Sequence, residues 1–60
     1  MQKGKLTQDI VNVVLEMQCT LGYAGETVLI HTVLPTGYEV STEKNPSATF
    51  YVYADQVELN

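Results

Sequence analysis

Hydrophobic and polar residues alternate along the middle of the chain with the two-residue period of β-strands. The segment ETVLIHTVL, residues 26–34, is predicted to be a strand with two distinct faces. Val28, Ile30, Thr32 and Leu34 share one face, and Thr27, Leu29, His31 and Val33 share the other. The turn formers Pro35 and Gly37 predict a tight reversal, after which YEVST, residues 38–42, forms a short strand.

The same alternation continues in ATFYVYADQVEL, residues 48–59. It predicts a strand, a one-turn corner at ADQ and a short closing strand at VEL. Because successive side chains point to opposite faces, Phe50 and Val52 are expected to lie in the core and Tyr51 and Tyr53 to face outward. Tyrosines contribute large contact areas and are enriched at protein interfaces, so the outward pair is a candidate binding patch, together with a neighbouring tyrosine.

Residues 10–21, IVNVVLEMQCTL, fit two secondary structures. Every odd position from Val11 to Leu21 is apolar, which is the alternation of a half-buried strand. Polar residues also recur at every fourth position from Gln8 to Thr20, which is the pattern of an amphipathic helix. The crowding of β-branched residues at positions 10–14 favours the strand, and a helix over residues 8–21 is the alternative.

Taken together, these segments resemble small SH3-like barrels of bacterial proteins. The resemblance covers residues 6–59 and is carried by DIVNVV, GETVLI, GYEV and above all FYVYADQVEL, where a strand, a short 3₁₀ turn and a brief closing strand follow one another. The length of the chain and its strand pattern predict a single mainly β domain over residues 1–60. The resemblance implies a small SH3-like barrel, and the strand pattern also fits a four- to five-stranded antiparallel meander. The alternative is an α+β fold in which the N-terminal helix packs on a three-stranded antiparallel sheet.

The distribution of charge narrows the classes of partner. The net charge is −4, and after Lys3 and Lys5 the only base is Lys44. Affinity for nucleic acid depends on basic residues that neutralise phosphates, so direct binding of DNA or RNA is not expected, although some SH3-like proteins bind it. The seven carboxylates could imitate the phosphates of nucleic acid, so a decoy of a DNA-binding enzyme is a further alternative. The carboxylates are scattered along the chain, which argues against this function.

Candidate catalytic or metal-binding chemistry is sparse. One cysteine, Cys19, and one histidine, His31, cannot form a disulfide or a zinc site within the chain. No serine, cysteine or carboxylate close to His31 in sequence completes a catalytic set, so we expect no enzymatic activity, no catalytic residues, no metal and no cofactor. The longest apolar runs are too short to span a membrane. A single cysteine fits the reducing cytoplasm, which is the expected location.

A 60-residue chain buries little apolar surface, so natural domains of this size often depend on a partner. We therefore expect a small acidic protein-interaction module, a regulator or inhibitor in a bacterial or phage system, that docks on a protein through an aromatic and aliphatic strand face. The alternative is a structural accessory subunit or a homo-oligomer such as a dimer. The residues expected to contact the partner are Tyr23, Leu29, His31, Val33, Tyr51 and Tyr53.

Overall fold

The computed structural model describes residues 2–60, in which the chain is mainly β. The strands are β1 (Lys3–Leu6), β2 (Ile10–Val14), β3 (Met17–Gly22), β4 (Thr27–Leu34), β5 (Gly37–Thr42), β6 (Phe50–Tyr53) and β7 (Val57–Leu59). A single 3₁₀ turn, η1 (Ala54–Gln56), joins β6 to β7 within the described part of the chain. Five strands form an antiparallel sheet in the order β6-β5-β4-β1-β7, and β2 and β3 form a separate hairpin.

The five-stranded sheet is strongly curled, because the short η1 connects its two edge strands. A flat sheet of five strands would measure roughly 19 Å from edge to edge at about 4.8 Å per strand, whereas three residues of 3₁₀ turn rise only about 6 Å. Backbone hydrogen bonds hold η1 at both sides: Ala54 N–H donates to Thr36 O at 3.2 Å, and Thr7 N–H donates to Gln56 O at 2.9 Å. The turn thus brings β6 and β7 towards each other and folds the inner face of the sheet around the core.

The core consists of aliphatic side chains on that inner face. Its buried members are Leu6, Ile10, Val28, Ile30, Val40, Val52 and Val57, with Tyr38 and Phe50 packed against them and partly buried. Cross-strand pairing explains why these residues share the core, because Val40 pairs with Ile30 on one side and with Phe50 on the other. Ile10 is the part of the β2–β3 hairpin that reaches this core.

The mainly β class is confirmed, and so are the strand, the 3₁₀ corner and the closing strand of residues 50–59. The helical alternative for residues 8–21 is wrong: the segment contains two strands joined by a two-residue turn. That turn, Leu15–Glu16, has φ angles of 51° and 65°. The first strand, β1, was not predicted from the sequence at all.

The predicted faces of β4 are correct up to His31, which contacts Ser41 on the outer face, and wrong beyond it. The pairing of β4 with β5 shifts register between Ile30 and Thr32, so His31 is an extra residue in a β-bulge. The bulge reverses the alternation that follows. Val33 therefore lies opposite Tyr38 on the side of the core, whereas Thr32 and Leu34 lie on the outer face.

Candidate protein-interaction surface

The outer face of β4, β5 and β6 carries an aromatic pair beside an aliphatic side chain. The rings of Tyr51 and Tyr53 meet edge to face, with centroids 5.2 Å apart and planes at 87°. Leu34 and Tyr53 both flank Gly37 in neighbouring strands, so they share this face. We call the surface formed by Thr32, Leu34, Tyr51 and Tyr53 the tyrosine face. Tyr53 is its most projecting aromatic ring, at 58% exposure against 40% for Tyr51.

Tyr51 is held in place by the backbone beneath it. Its hydroxyl forms a hydrogen bond with the Thr36 hydroxyl in the β4–β5 turn. The phenol crosses Gly37, where an added Cβ would lie 2.9 Å from the Tyr51 hydroxyl and 2.0 Å from the Val52 carbonyl oxygen. Tyr51 therefore covers the sheet and stabilises the position of Tyr53, which forms no side-chain hydrogen bond among those described.

Leu29 and His31 lie on β4 before Leu34, and contacts with β5 restrict their side chains. Leu29 is half-buried opposite Ser41, and His31 Nε2 lies 2.7 Å from the Ser41 hydroxyl. A serine beside a histidine is the pairing of a nucleophile and its base, but Ser41 is fully buried and cannot meet a substrate where it stands. The observed hydrogen bond instead satisfies a buried hydroxyl and fixes the histidine of the bulge.

The remaining two predicted contact residues lie elsewhere. Val33 is 69% exposed, but it lies at the end of the inner face, on the opposite side of β4 from the tyrosine face. Tyr23 is 61% exposed in the turn between β3 and β4, where its backbone N–H donates to the Glu26 carboxylate at 2.9 Å. The structure thus brings Tyr51 and Tyr53 together and does not join all six predicted residues in one surface.

Among residues 2–60 the largest apolar exposure belongs to the β2–β3 hairpin, which was not predicted from the sequence as a surface. Every residue from 11 to 21 is exposed. Its large hydrophobic members, with their exposed fractions, are Val11 (41%), Val13 (66%), Val14 (51%), Leu15 (91%), Met17 (69%) and Leu21 (36%). The sequence signal was the polar interruption at Glu16 between two runs of strand formers, but neither turn residue is typical of a two-residue hairpin.

Four of the seven carboxylates form a hydrogen bond or an ion pair with a group of the chain. Glu43 pairs with Lys3 at 3.1 Å, with both side chains half-exposed. The Asp9 carboxylate accepts the Ala24 N–H at 2.8 Å, which anchors the base of the hairpin. Glu26 accepts from Tyr23, as described above, and Glu39 accepts from the Thr32 hydroxyl at 3.3 Å. These carboxylates organise turns and strand ends and do not form a continuous acidic array.

Within residues 2–60 the structure has no ligand-sized cavity and no cluster of three or more histidine, cysteine or carboxylate side chains that could hold a metal ion. None of the helical structure described is long and apolar enough to cross a membrane. The features with distinctive chemistry are therefore two surfaces, the tyrosine face and the exposed hairpin.

No protein-family model matches this chain, and no curated protein or solved structure matches it either. The geometry of the chain is what bears on its function.

Proposed function

We propose that the chain is a small protein-interaction module, a regulator or inhibitor that docks on a partner protein through the tyrosine face. The observation that carries this proposal is the edge-to-face contact of the Tyr51 and Tyr53 rings on β6, an outermost strand of the sheet. The Tyr53 side chain is 58% exposed. Binding energy at interfaces concentrates in a few aromatic anchors that fill pockets of the partner. Tyr53 has the position of such an anchor.

The anchor is pre-organised, which favours binding. Tyr51 is tied to Thr36 and rests over Gly37, so the ring against which Tyr53 packs is already ordered in the free protein. A side chain that is immobilised before binding loses less conformational entropy on association. Among the residues that the structure describes, the outer edge of β6 pairs with no other strand, and a partner can add backbone hydrogen bonds there.

The order of the elements supports the further proposal that the fold is SH3-like. A hairpin separates β1 from β4, β4 to β6 form a meander, and a 3₁₀ turn precedes the closing strand that pairs with β1. A small module of this kind fits a cytoplasmic regulator of a bacterial or phage system. A structural accessory subunit would use the same tyrosine face but would be poorly folded without its partner.

The scattered carboxylates make a decoy function less favoured than docking through the tyrosine face. Four of the seven are engaged in local hydrogen bonds or an ion pair: Asp9, Glu26, Glu39 and Glu43. A decoy that imitates nucleic acid needs a dense, one-sided array of free acids.

The test compares Tyr53→Ala with Tyr23→Ala, because these tyrosines have nearly equal exposure, 58% and 61%. Tagged wild type and both variants are used for capture from a host lysate at about 0.1 M and 1 M salt, where the screening length falls from about 10 Å to 3 Å. We expect one specific protein, retained at high salt, captured by wild type and by Tyr23→Ala and lost with Tyr53→Ala. Tyr51 is left intact because its removal would uncover Gly37 and disturb the sheet.

Two results would contradict the proposal. Capture that disappears at high salt but survives Tyr53→Ala would indicate an electrostatic contact and favour the decoy. Equal capture by all three proteins at both salt concentrations would place the contact outside the tyrosine face. If the expected protein is captured, titration calorimetry with the purified partner measures the affinity, for which we expect a loss of at least tenfold with Tyr53→Ala.

A further inference from the structure

The edges of the β2–β3 hairpin carry few of the devices that usually protect a free strand, and the device that is present is a β-bulge at Leu21, at the base of β3. Edge strands in natural proteins are blunted by lysine, proline or covering segments, because their unpaired N–H and C=O groups can template another strand. Residues 10–22 contain no lysine, arginine or proline, and Glu16 is their single charged residue. In the part of the chain that the structure describes, neither edge of the hairpin is paired.

The turn decides which backbone groups face outward. Leu15 and Glu16, both at positive φ, are the central residues of a two-residue turn flanked by the pair Val14 and Met17. The turn closes with a hydrogen bond between those flanking residues. Hydrogen-bonded and non-bonded pairs alternate in an antiparallel ladder, so the N–H and C=O groups of Gln18 and Thr20 point away from β2.

The outer edge of β3 is complementary to itself. If two copies pair antiparallel about an axis at Cys19, Gln18 of each copy lies opposite Thr20 of the other, and their outward groups form the hydrogen bonds. On the other face Cys19 lies opposite Cys19, and Met17 of each copy lies towards Leu21 of the other, where the β-bulge of β3 interrupts the regular ladder. Apolar side chains thus meet apolar ones and polar side chains meet polar ones, which is the requirement of a two-fold interface.

Charge also favours a second copy at this edge. The chain has a net charge of −4, so contact between copies is opposed wherever their carboxylates meet. In the antiparallel arrangement the two Glu16 side chains lie at opposite ends of the paired strands. The hairpin is therefore the part of the molecule that two acidic copies can share with little repulsion.

The equivalent pairing through β2 is less favourable. An axis at Asn12 would set Val14 of one copy opposite Ile10 of the other, and Ile10 is buried in the core at 6% exposure. Leu21, which has the corresponding position in the β3 pairing, is 36% exposed and can be reached.

We infer that the β2–β3 hairpin is a self-association arm, and that two copies of the chain pair through the outer edges of β3 to form a four-stranded sheet. The paired edge is about 20 Å long for six residues. A single pair of strand edges is smaller than a standard interface of roughly 800 Å² per partner, so we expect a weak dimer that forms at high protein concentration.

The test uses a matched pair of variants on the two edges. Thr20 and Val11 are cross-strand partners on the same face of the hairpin and both are exposed, so Thr20→Lys and Val11→Lys place one charge on opposite edges. Sedimentation velocity from about 10 µM to 1 mM should show a concentration-dependent dimer for wild type and for Val11→Lys. Thr20→Lys should weaken dimerisation at least tenfold, and Thr20→Glu should do the same with the opposite charge. Circular dichroism checks that each variant is folded.

Cys19 supplies an independent readout of register. Mild oxidation should link wild-type copies through Cys19, since residues directly opposite in a non-bonded pair have the Cα separation of a disulfide. Thr20→Lys should form the linked dimer at least tenfold more slowly, and Cys19→Ser should form none.

Several results would overturn the inference: a wild-type monomer at every concentration, equal effects of Val11→Lys and Thr20→Lys, or unchanged cross-linking in a folded Thr20→Lys protein. Tyr53→Ala leaves the hairpin intact and should dimerise like wild type. Failure of the self-association arm can therefore be told apart from failure of the proposed docking function.

Discussion

Gly37 is the residue at which side-chain size matters most. The backbone of β5 passes so close to β6 that a Cβ at this position would lie 2.0 Å from the Val52 carbonyl oxygen and 2.9 Å from the Tyr53 Cα. Both obstacles are backbone atoms, which cannot rotate away as a flexible side chain can. The absence of a Cβ at Gly37 therefore permits both the pairing of β5 with β6 and the position of Tyr51 above it.

Gly37→Ala should lower the free energy of unfolding by roughly 2–3 kcal/mol, because the added methyl group forces β6 away from β5. Gly25→Ala is the control: Gly25 has a φ of 84° and open space around the missing Cβ, so its loss is conformational and costs about 1–2 kcal/mol. Urea denaturation of both variants measures the difference. A smaller loss for Gly37→Ala than for Gly25→Ala would mean that β6 adjusts freely.

The β2–β3 hairpin is the element whose sequence is least typical of the conformation that it adopts. Its turn places Leu15 and Glu16 in the left-handed region, which favours glycine and asparagine and opposes residues with large side chains. The hairpin also has little packing to compensate, since Ile10 and Gly22 are its buried residues. Its conformation is therefore the least stable of the strand pairs, and its opening is the expected local fluctuation.

Replacing the turn with Leu15→Asn and Glu16→Gly should stabilise the hairpin, because Asn-Gly suits a turn with positive φ at both positions. Relief of about 1–2 kcal/mol corresponds to an increase of roughly tenfold in the protection of hairpin amides, measured by hydrogen exchange. Leu15→Val is the opposite control, since a β-branched residue fits this region poorly and should reduce protection. Unchanged exchange in both variants would show that the turn does not limit the hairpin.

The elements that could be predicted from sequence are those where local alternation and tertiary pairing agree. Phe50–Tyr53 and the corner after it were predicted correctly, because Val52 is buried while Tyr51 and Tyr53 are exposed. β1 was missed because KGKL has low strand propensity, and pairing with β4 and β7 on either side makes it a strand. The bulge at His31 also has no local signature, so the face predicted for Val33 was wrong, although its side chain is exposed.

The candidate site was predictable to the same extent. Alternation placed Tyr51 and Tyr53 on the outer face, but their edge-to-face contact depends on Gly37 and Thr36, which lie on other elements. The exposure of the hairpin was not predictable, because a run of alternating apolar residues normally indicates burial. Only its separation from the five-stranded sheet leaves these residues in solvent.

At the scale of the whole molecule, stability depends on the core, which has seven buried aliphatic residues in the described part of the chain. A domain of this size is expected to have only about 3–5 kcal/mol of net stability. Among the described residues no buried side-chain nitrogen or oxygen lacks a hydrogen-bond partner, so little of that stability is lost to unsatisfied polar groups. The exposed Lys3–Glu43 pair adds little, since surface ion pairs contribute about 0–1 kcal/mol.

Val28→Ala should therefore bring the protein close to its unfolding threshold. Val28 is fully buried in the middle strand of the sheet, and truncating it leaves a cavity that costs about 2 kcal/mol. In a chain of 60 residues that loss lowers Tm by roughly 10–15 °C. Val33→Ala is the matched control: it is the same substitution in the same strand, but Val33 is 69% exposed and the change should stay within about 0.5 kcal/mol. Thermal unfolding followed by circular dichroism measures both. Equal shifts in Tm would mean that stability is not concentrated in the buried part of the inner face, whereas a large shift for Val28→Ala alone would identify the buried core, and not the exposed end of that face, as the source of stability.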